Sequence, residues 1–278
     1  MNQSFLIRCI IWLLLMTGGG LASIKIQISP PIYEQEIRTG EERSFEIYLR
    51  NNSSNRITLI ARIRSIQMDD FGNPQFIDAP YQPYSCQNWI DLNPRSIQIK
   101  PFEERVVAVS IRVPQDASGG NYAAVLFEID TDNDVSSGTS VGLTIRTGSM
   151  IMLSVKNTIK LDAELLSFAA KHLSERTEFE ITLQNNSNRH ITPSGSIVIF
   201  ADKKRVIDRI RIESTSFILP FSNRKFKCEW KNLRKREKVE RYTAECRFSV
   251  KGLGKSLIKR IEIHAGDSQD RQGVKSGI

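Results

Sequence analysis

The stretch FEIYLRNNSSNRIT at residues 45–58 recurs as FEITLQNNSNRHIT at residues 179–192. Phe, Glu, Ile, Leu, a double Asn, Ser, Ile and Thr return in register 134 positions later. Each copy reads as an alternating strand, a polar Asn/Ser turn and the start of a second strand. A repeat this long and this far apart implies two copies of one domain, because solenoids repeat every few tens of residues. Two fainter echoes keep step. Pro101-Phe102 follows SIQIK and Pro220-Phe221 follows SFIL, while Tyr122 opens YAAVLF and Tyr242 opens YTAECRF. Phe102 lies 57 residues after Phe45, and Phe221 lies 42 after Phe179, yet the next step to the Tyr is 20 and 21 residues. The first copy therefore carries an insertion of 15 residues, placed around residues 65–90, where DDFGNP and DAPYQPY concentrate turn formers.

Strand patterns dominate both copies. IKIQIS, FEIYLR, RITLIARIRSI, RSIQIK, RVVAVSIRV, YAAVLFEI, VGLTI and SMIMLSV fill the first; FEITL, GSIVIF, SFIL, KFKCEW, YTAECRFSV and LIKRIEI fill the second. In RVVAVSIRV, Val107, Val109 and Ile111 share one face with Arg105 and Val113, and Val106, Ala108, Ser110 and Arg112 take the other. Short strands at about ten-residue spacing with polar turns between them predict a β-sandwich. LDAELLSFAAKHL (161–173) has fair helical propensity but occupies the place of a first strand, and is read as one. Tyr122 and Tyr242 each stand two residues before a small Ala. That placement resembles the tyrosine corner of immunoglobulin-like domains, whose phenol bonds a nearby backbone group; the alternative is two ordinary strand tyrosines. Ala124 and Ala244 stand where antibody domains carry Cys, so no inter-sheet disulfide of that kind is expected.

The ends and the charges bound the class. Arg8 precedes the apolar run Cys9 to Met16, and GGGLAS follows. The run is too short to span a bilayer and leads into small residues, so residues 1–23 are read as a cleaved secretory signal, with an uncleaved anchor as the other option. No later stretch approaches a membrane span, so the mature chain is not expected to cross one. Three cysteines follow the signal: Cys86, Cys228 and Cys246. If KFKCEW and YTAECRF pair as a hairpin centred near Glu237, Cys228 and Cys246 face each other. A disulfide between them is then possible in an oxidising compartment; the alternative is two small apolar side chains that never meet. Residues 24–157 hold 13 Lys/Arg against 16 Asp/Glu, and residues 158–265 hold 23 against 13, so the positive charge belongs to the second copy. Its densest run is KNLRKREKVER at Lys231 to Arg241. Such a face attracts anionic partners, or is only a solvated hairpin tip. Nucleic acid is not expected, since export removes the chain from it and no aromatics interleave the basic run.

Little in the chain carries chemistry. His172, His190 and His264 are far apart and none has a partner at metal-ligand spacing. No nucleophile elbow, phosphate loop or dinucleotide fingerprint occurs. Asp130, Asp132 and Asp134 resemble the start of a calcium loop. However, Val135 stands where its Gly should be and Val141 where its Glu should be, so a mobile acidic loop is expected. The chain is therefore read as a non-enzyme with no cofactor and no metal. What remains is binding through strands: Val141, Leu143 and Ile145 alternate with Gly142, Thr144 and Arg146. On an edge they would offer free backbone groups and three aligned apolar side chains, the equipment for β-augmentation. In a closed sheet they would simply belong to their own core.

The segment WIDLNPRSIQIKPFEERVVAVSIRVPQDASGGNYAAVLF (89–127) has a Trp, a strand, a Pro-led turn, a long alternating strand ending in Val-Pro, and a Gly-x-Tyr-x-Ala strand. In this it resembles the periplasmic pilus-assembly chaperones, the PapD-like family. The resemblance covers residues 24–155 through these motifs and 158–265 through architecture. It implies two immunoglobulin-like domains and a long strand ahead of the linker that lends alternating apolar side chains to an incomplete subunit. Val141, Leu143 and Ile145 match that pattern. It also implies a clamp on the subunit's terminal carboxylate by an early Arg and a late Lys of the long strand. Here those places fall around Ser29-Pro30 and Ser149-Met150, neither of them basic, with Arg146 close but displaced.

The expectation is thus an all-β chain of two tandem immunoglobulin-like β-sandwich domains after a signal peptide. The signal takes residues 1–23, the first domain 24–156, the basic second domain 157–265, and a disordered tail 266–278. The expected role is a periplasmic chaperone-like protein that holds a secreted or pilus subunit by strand donation through Val141, Leu143, Ile145 and Arg146. The alternative is a cell-envelope structural or adhesion module whose basic second domain binds an acidic surface.

Overall fold

The computed structural model describes residues 25–78, 83–129, 146–173, 176–201, 205–212, 217–231 and 241–264. The alternating runs become strands because burying every second side chain against a facing sheet satisfies both the apolar face and the backbone ladder. In chain order the first half holds β1 (Ile26–Ser29), β2 (Ile32–Ile37), β3 (Glu42–Asn51), β4 (Ile57–Met68), β5 (Pro74–Ile77), β6 (Ile90–Asn93), β7 (Ser96–Ile99), β8 (Glu104–Arg112), β9 (Gly120–Ile129) and β10 (Arg146–Val155). The second half holds β11 (Ala163–His172), β12 (Arg176–Asn185), β13 (Pro193–Ala201), β14 (Arg205–Ile212), β15 (Asn223–Lys231), β16 (Arg241–Val250) and β17 (Ser256–His264).

In the first domain a sheet ordered β1-β3-β8-β6 faces one ordered β2-β10-β9-β4-β5, with β7 also beside β4. In the second, β11-β12-β15 faces β14-β13-β16-β17. All pairings are antiparallel except β2 with β10. Each sandwich has its own core: Val107, Val109, Ile111, Phe127 and Leu153 in the first, Phe179, Ile181, Ile197 and Phe248 in the second. The alternation read in RVVAVSIRV holds, with Val107, Val109 and Ile111 fully buried and Val106, Ala108 and Ser110 exposed. The 161–173 segment is the strand β11, as read. SFIL is not a strand; Ile218 makes a single bridge to Ile191. VGLTI and the tail from 266 lie outside the described residues.

The repeated double Asn has a structural cause. Asn51 and Asn185, the first of each pair, are fully buried where β3 and β12 end. The Asn185 amide reaches the carbonyls of Arg189, Ile218 and Leu219, each at 2.9 Å, and its Oδ1 accepts the Ser187 N–H. Asn51 does the same with Asn55, Ile99 and Lys100, and accepts from Ser53. The carbonyls each amide reaches lead straight into Pro101-Phe102 and Pro220-Phe221, so the two echoes of the sequence are one device. Phe102 (φ 58°) and Phe221 (φ 55°) occupy the left-handed region, and the Glu103 N–H closes the first turn on Lys100 O at 3.2 Å. Pro sets the second residue of such a turn, and the third must turn left.

The insertion contributes the β4–β5 hairpin, and its tip reaches the second domain. Lys225 donates its backbone N–H to Asp70 O at 2.6 Å, its ammonium lies 2.8 Å from the Asp70 carboxylate, and Lys227 lies over the Phe71 ring.

Candidate partner-binding strand and the joint behind it

β10 is flanked unevenly. β9 runs beside it from Arg146 to Ser154, whereas β2 pairs only from Met150 to Val155. Among the described residues, Arg146–Ser149 therefore have a strand neighbour on one side alone. The prolines explain where β2 stops. The chain arrives from β1 in the opposite sheet through Pro30-Pro31, which have no N–H to give a ladder. Pairing begins where the Met150 N–H meets Pro31 O at 2.9 Å. β1 is the matching edge of the facing sheet, and its Ile26 and Ile28 are only partly buried against the first core.

Parity along β10 is clear. Ile151, Leu153 and Val155 enter the first core, while Met150 and Met152 face the other way. Ser149 belongs to the inward set; it is fully buried and its hydroxyl has no hydrogen-bond partner. Val141, Leu143 and Ile145 carry the same odd parity but lie outside the described residues. Of the four expected partner-binding residues, Arg146 alone is placed, as the first residue of β10 in register with Glu128. Of the two places that the resemblance assigns to a carboxylate clamp, Ser29-Pro30 and Ser149-Met150, the second bonds the residue that follows the first, through Met150 N–H to Pro31 O. They supply two serine hydroxyls and no cation.

The back of this sheet carries a second apolar layer that the sequence did not announce. β9 is buried on both faces: Ala123, Val125 and Phe127 point into the sandwich, and Tyr122, Ala124 and Leu126 point out of it. The outward set joins Ile66 and Met152 and packs on Phe217 and Leu219 of the second domain. At roughly 1.5–3 kcal/mol for each large apolar side chain buried, this layer favours the docked arrangement of the two domains.

Tyr122 sits at its centre. It is no tyrosine corner of its own domain: its hydroxyl accepts the His190 backbone N–H at 2.7 Å and meets His190 Nδ1 at 3.0 Å. Tyr84 stacks edge-on to Tyr122, and its hydroxyl bonds Ser222. Tyr242, the counterpart in the second copy, packs on Trp230. Beside Tyr122, the Gly120 N–H donates to Asn188 O at 2.7 Å, so the repeated turn of the second copy is itself the docking surface.

His190 is buried, and its Nε2 lies 3.2 Å from Glu34 Oε1. Burial pushes its pKa below the usual 6.5; Glu34 opposes this and Arg189 reinforces it. The neutral ring is the form the joint accepts, so the unfolded chain binds a proton at higher pH than the folded one. Its contribution is complete above about pH 6.5 and is lost as the pH falls from there. Glu34→Gln, which removes the carboxylate favouring the charged ring, is expected to deepen the loss between pH 7 and 5 in urea unfolding. An unchanged slope would show that His190 does not titrate on unfolding.

The cysteines require a correction. β15 and β16 do not form a hairpin: Cys228 pairs within the β11-β12-β15 sheet and Cys246 within the opposite one. Both side chains nevertheless reach the same core from opposite sheets. Burial pushes both thiols up, Cys246 to about 12, with the Cys228 charge adding to the effect on Cys246. Both are free thiols in this structure, as is Cys86, which is fully buried in the first core. The run at 232–240 and the acidic stretch at 130–134 lie outside the described residues. Among the described residues, no three His, Cys, Asp or Glu side chains converge as a metal site, and no helix is long and apolar enough to cross a membrane.

No protein-family model matches the chain, and no curated protein does. Solved structures are similar in fold. The class 5 fimbriae chaperone CfaA has 12% identity and a TM-score of 0.45, over 85% of this chain and 98% of that one. The chaperone DraB of E. coli has 9% identity and a TM-score of 0.42, over 87% and 96%. The CupB2 chaperone of Pseudomonas aeruginosa has 13% identity and a TM-score of 0.39, over 84% and 98%.

Proposed function

We propose that this chain is an exported, non-enzymatic chaperone-like protein of the periplasm that holds a pilus or other secreted subunit by lending it a strand. The observation that supports the reading is the flank of β10 over Arg146–Ser149, which among the described residues has a strand neighbour on one side alone. A sheet edge with unpaired backbone groups accepts another chain's strand, and alternate apolar side chains give the register. In sequence Val141, Leu143 and Ile145 precede that flank at alternate positions, which supplies the apolar row that strand donation needs. Without a cation at the clamp positions, recognition rests on the ladder and on these apolar side chains.

The reading predicts a stoichiometric subunit co-purifying from the periplasm. The pair Leu143→Glu and Ile145→Glu is expected to abolish its retention, since each charge would have to be buried, while the melting temperature stays unchanged. Retention of every partner by that double variant would sink strand donation. Export also carries Cys228 and Cys246 into an oxidising compartment, and the reading includes a bond between them across the core. Alkylation of the denatured, unreduced protein should then label Cys86 alone; labelling of all three would remove the bond.

A further inference from the structure

The second domain has an open edge that strand donation does not use. β14 has only β13 beside it among the described residues, and β15 has only β12. These two edges lie on the same side of the sandwich, with a groove of about 400 Å³ between them. Its floor holds Ile210, Ile212, Phe226 and Cys228; Ile210 and Cys228 are only partly buried. On β14 the side chains alternate over residues 209–212. Ile210 and Ile212 turn toward the core, and Arg209 and Arg211 are exposed, with no carboxylate paired to either guanidinium among the described residues.

The neighbouring edge shows what such a surface accepts. β15 is engaged by the tip of the first domain's β4–β5 hairpin: Asp70 takes the Lys225 N–H on its carbonyl and the Lys225 ammonium on its carboxylate, and Phe71 lies under Lys227. An acidic residue followed by an apolar one, bonded through the backbone, is already the ligand on one of the two edges. Across the groove the Trp230 indole N–H of β15 donates to the Asp208 carboxylate of β14 at 3.0 Å, but among the described residues no backbone group other than those of β13 bonds the β14 ladder.

We infer that the β14 edge is a second strand-binding site, separate from β10, and that its ligand is an extended protein segment alternating acidic and apolar residues. Added to β14, such a segment completes the ladder through its backbone. Its outward carboxylates stand directly across from Arg209 and Arg211, and its inward apolar side chains close the groove over Ile210 and Cys228. The positive charge of the second domain steers an acidic segment there and repels a basic one.

The test uses the mature full-length protein and a short fluorescent peptide alternating Asp and Val. Four results are expected together. The peptide binds; a Lys/Val counterpart does not; N-methylation of alternate backbone amides abolishes binding; and Arg209→Glu with Arg211→Glu, checked to melt as the parent does, weakens binding about tenfold or more. Leu143→Glu with Ile145→Glu should leave it untouched, which separates this site from β10. Equal binding of the N-methylated peptide would show charge attraction without a ladder. Equal binding by the arginine variant, or adhesion to vesicles rich in anionic lipid with none to the peptide, would assign the charge elsewhere. Any of these overturns the inference.

Discussion

Asn185→Ala is expected to cost the second domain about 3 kcal/mol or more, and Asn51→Ala to cost the first a similar amount. Each amide is fully buried and serves three carbonyls, while its oxygen holds the N–H two residues on. An Ala removes three bonds to carbonyls and the one to the N–H two residues on; Lys100 O keeps the Glu103 N–H and Ile218 O the Ile191 N–H, so the loss comes from the groups left unmatched, at roughly 1–3 kcal/mol apiece. The second Asn of each pair provides the control. The Asn52 side chain reaches only Gln27, at 3.4 Å on the surface, and Asn186 uses its backbone N–H toward Asp162. Asn52→Ala and Asn186→Ala should therefore stay within about 0.5 kcal/mol of the parent in urea unfolding. Equal losses from both members of a pair would mean that the motif acts through turn propensity and not through one buried amide.

Gly120→Val is the second large effect, and it falls on the joint. A Cβ at this position would stand 2.2 Å from the Tyr122 hydroxyl oxygen and 3.1 Å from Arg189 Cα. The hydroxyl cannot retreat, because it is fixed between the His190 N–H and the His190 ring. The second domain must back away, breaking the Gly120–Asn188 bond and opening the layer of Leu126, Met152, Phe217 and Leu219. We expect a loss of about 3 kcal/mol and two calorimetric transitions, one for each sandwich, where the parent is expected to show one. Tyr122→Phe keeps the ring and removes the hydroxyl, so it should cost less and leave one transition. A Gly120→Val protein that still unfolds in a single step at the parent temperature would show that the domains are not coupled here.

The strands were legible because alternation is local. A run such as RVVAVSIRV declares its inner face in its own residues, and the repeated FEI–NNS segment declares the duplication. The strands missed, β2, β5, β6 and β14, are short or mixed in character: IYEQEI and RVIDRIRI put charges where a one-sided strand would carry apolar residues. They belong to sheet margins, where less is buried and the pattern weakens. YAAVLFEI looked like one ordinary core strand, and nothing in it tells that Tyr122, Ala124 and Leu126 serve another domain. Its nearly unbroken apolar run was the available signal, since a strand buried on both faces loses its alternation. The cysteine hairpin failed for a related reason. KFKCEW and YTAECRF are adjacent in sequence, and adjacency favours a hairpin, but a sandwich also sends neighbouring strands to opposite sheets. The open flank of β10 was visible only as a possibility, because it is set by where Pro30 and Pro31 let β2 begin.

The linker is held on more than one side. Thr158 ties the Gly119 N–H to the Val155 carbonyl, and the insertion's tip grips β15 at Lys225 some distance away. Two anchorages off a common axis leave no free rotation about Asn157. In solution the molecule should tumble as a single rotor, with one correlation time for both sandwiches, and a load applied to β10 would be borne by the whole chain at once.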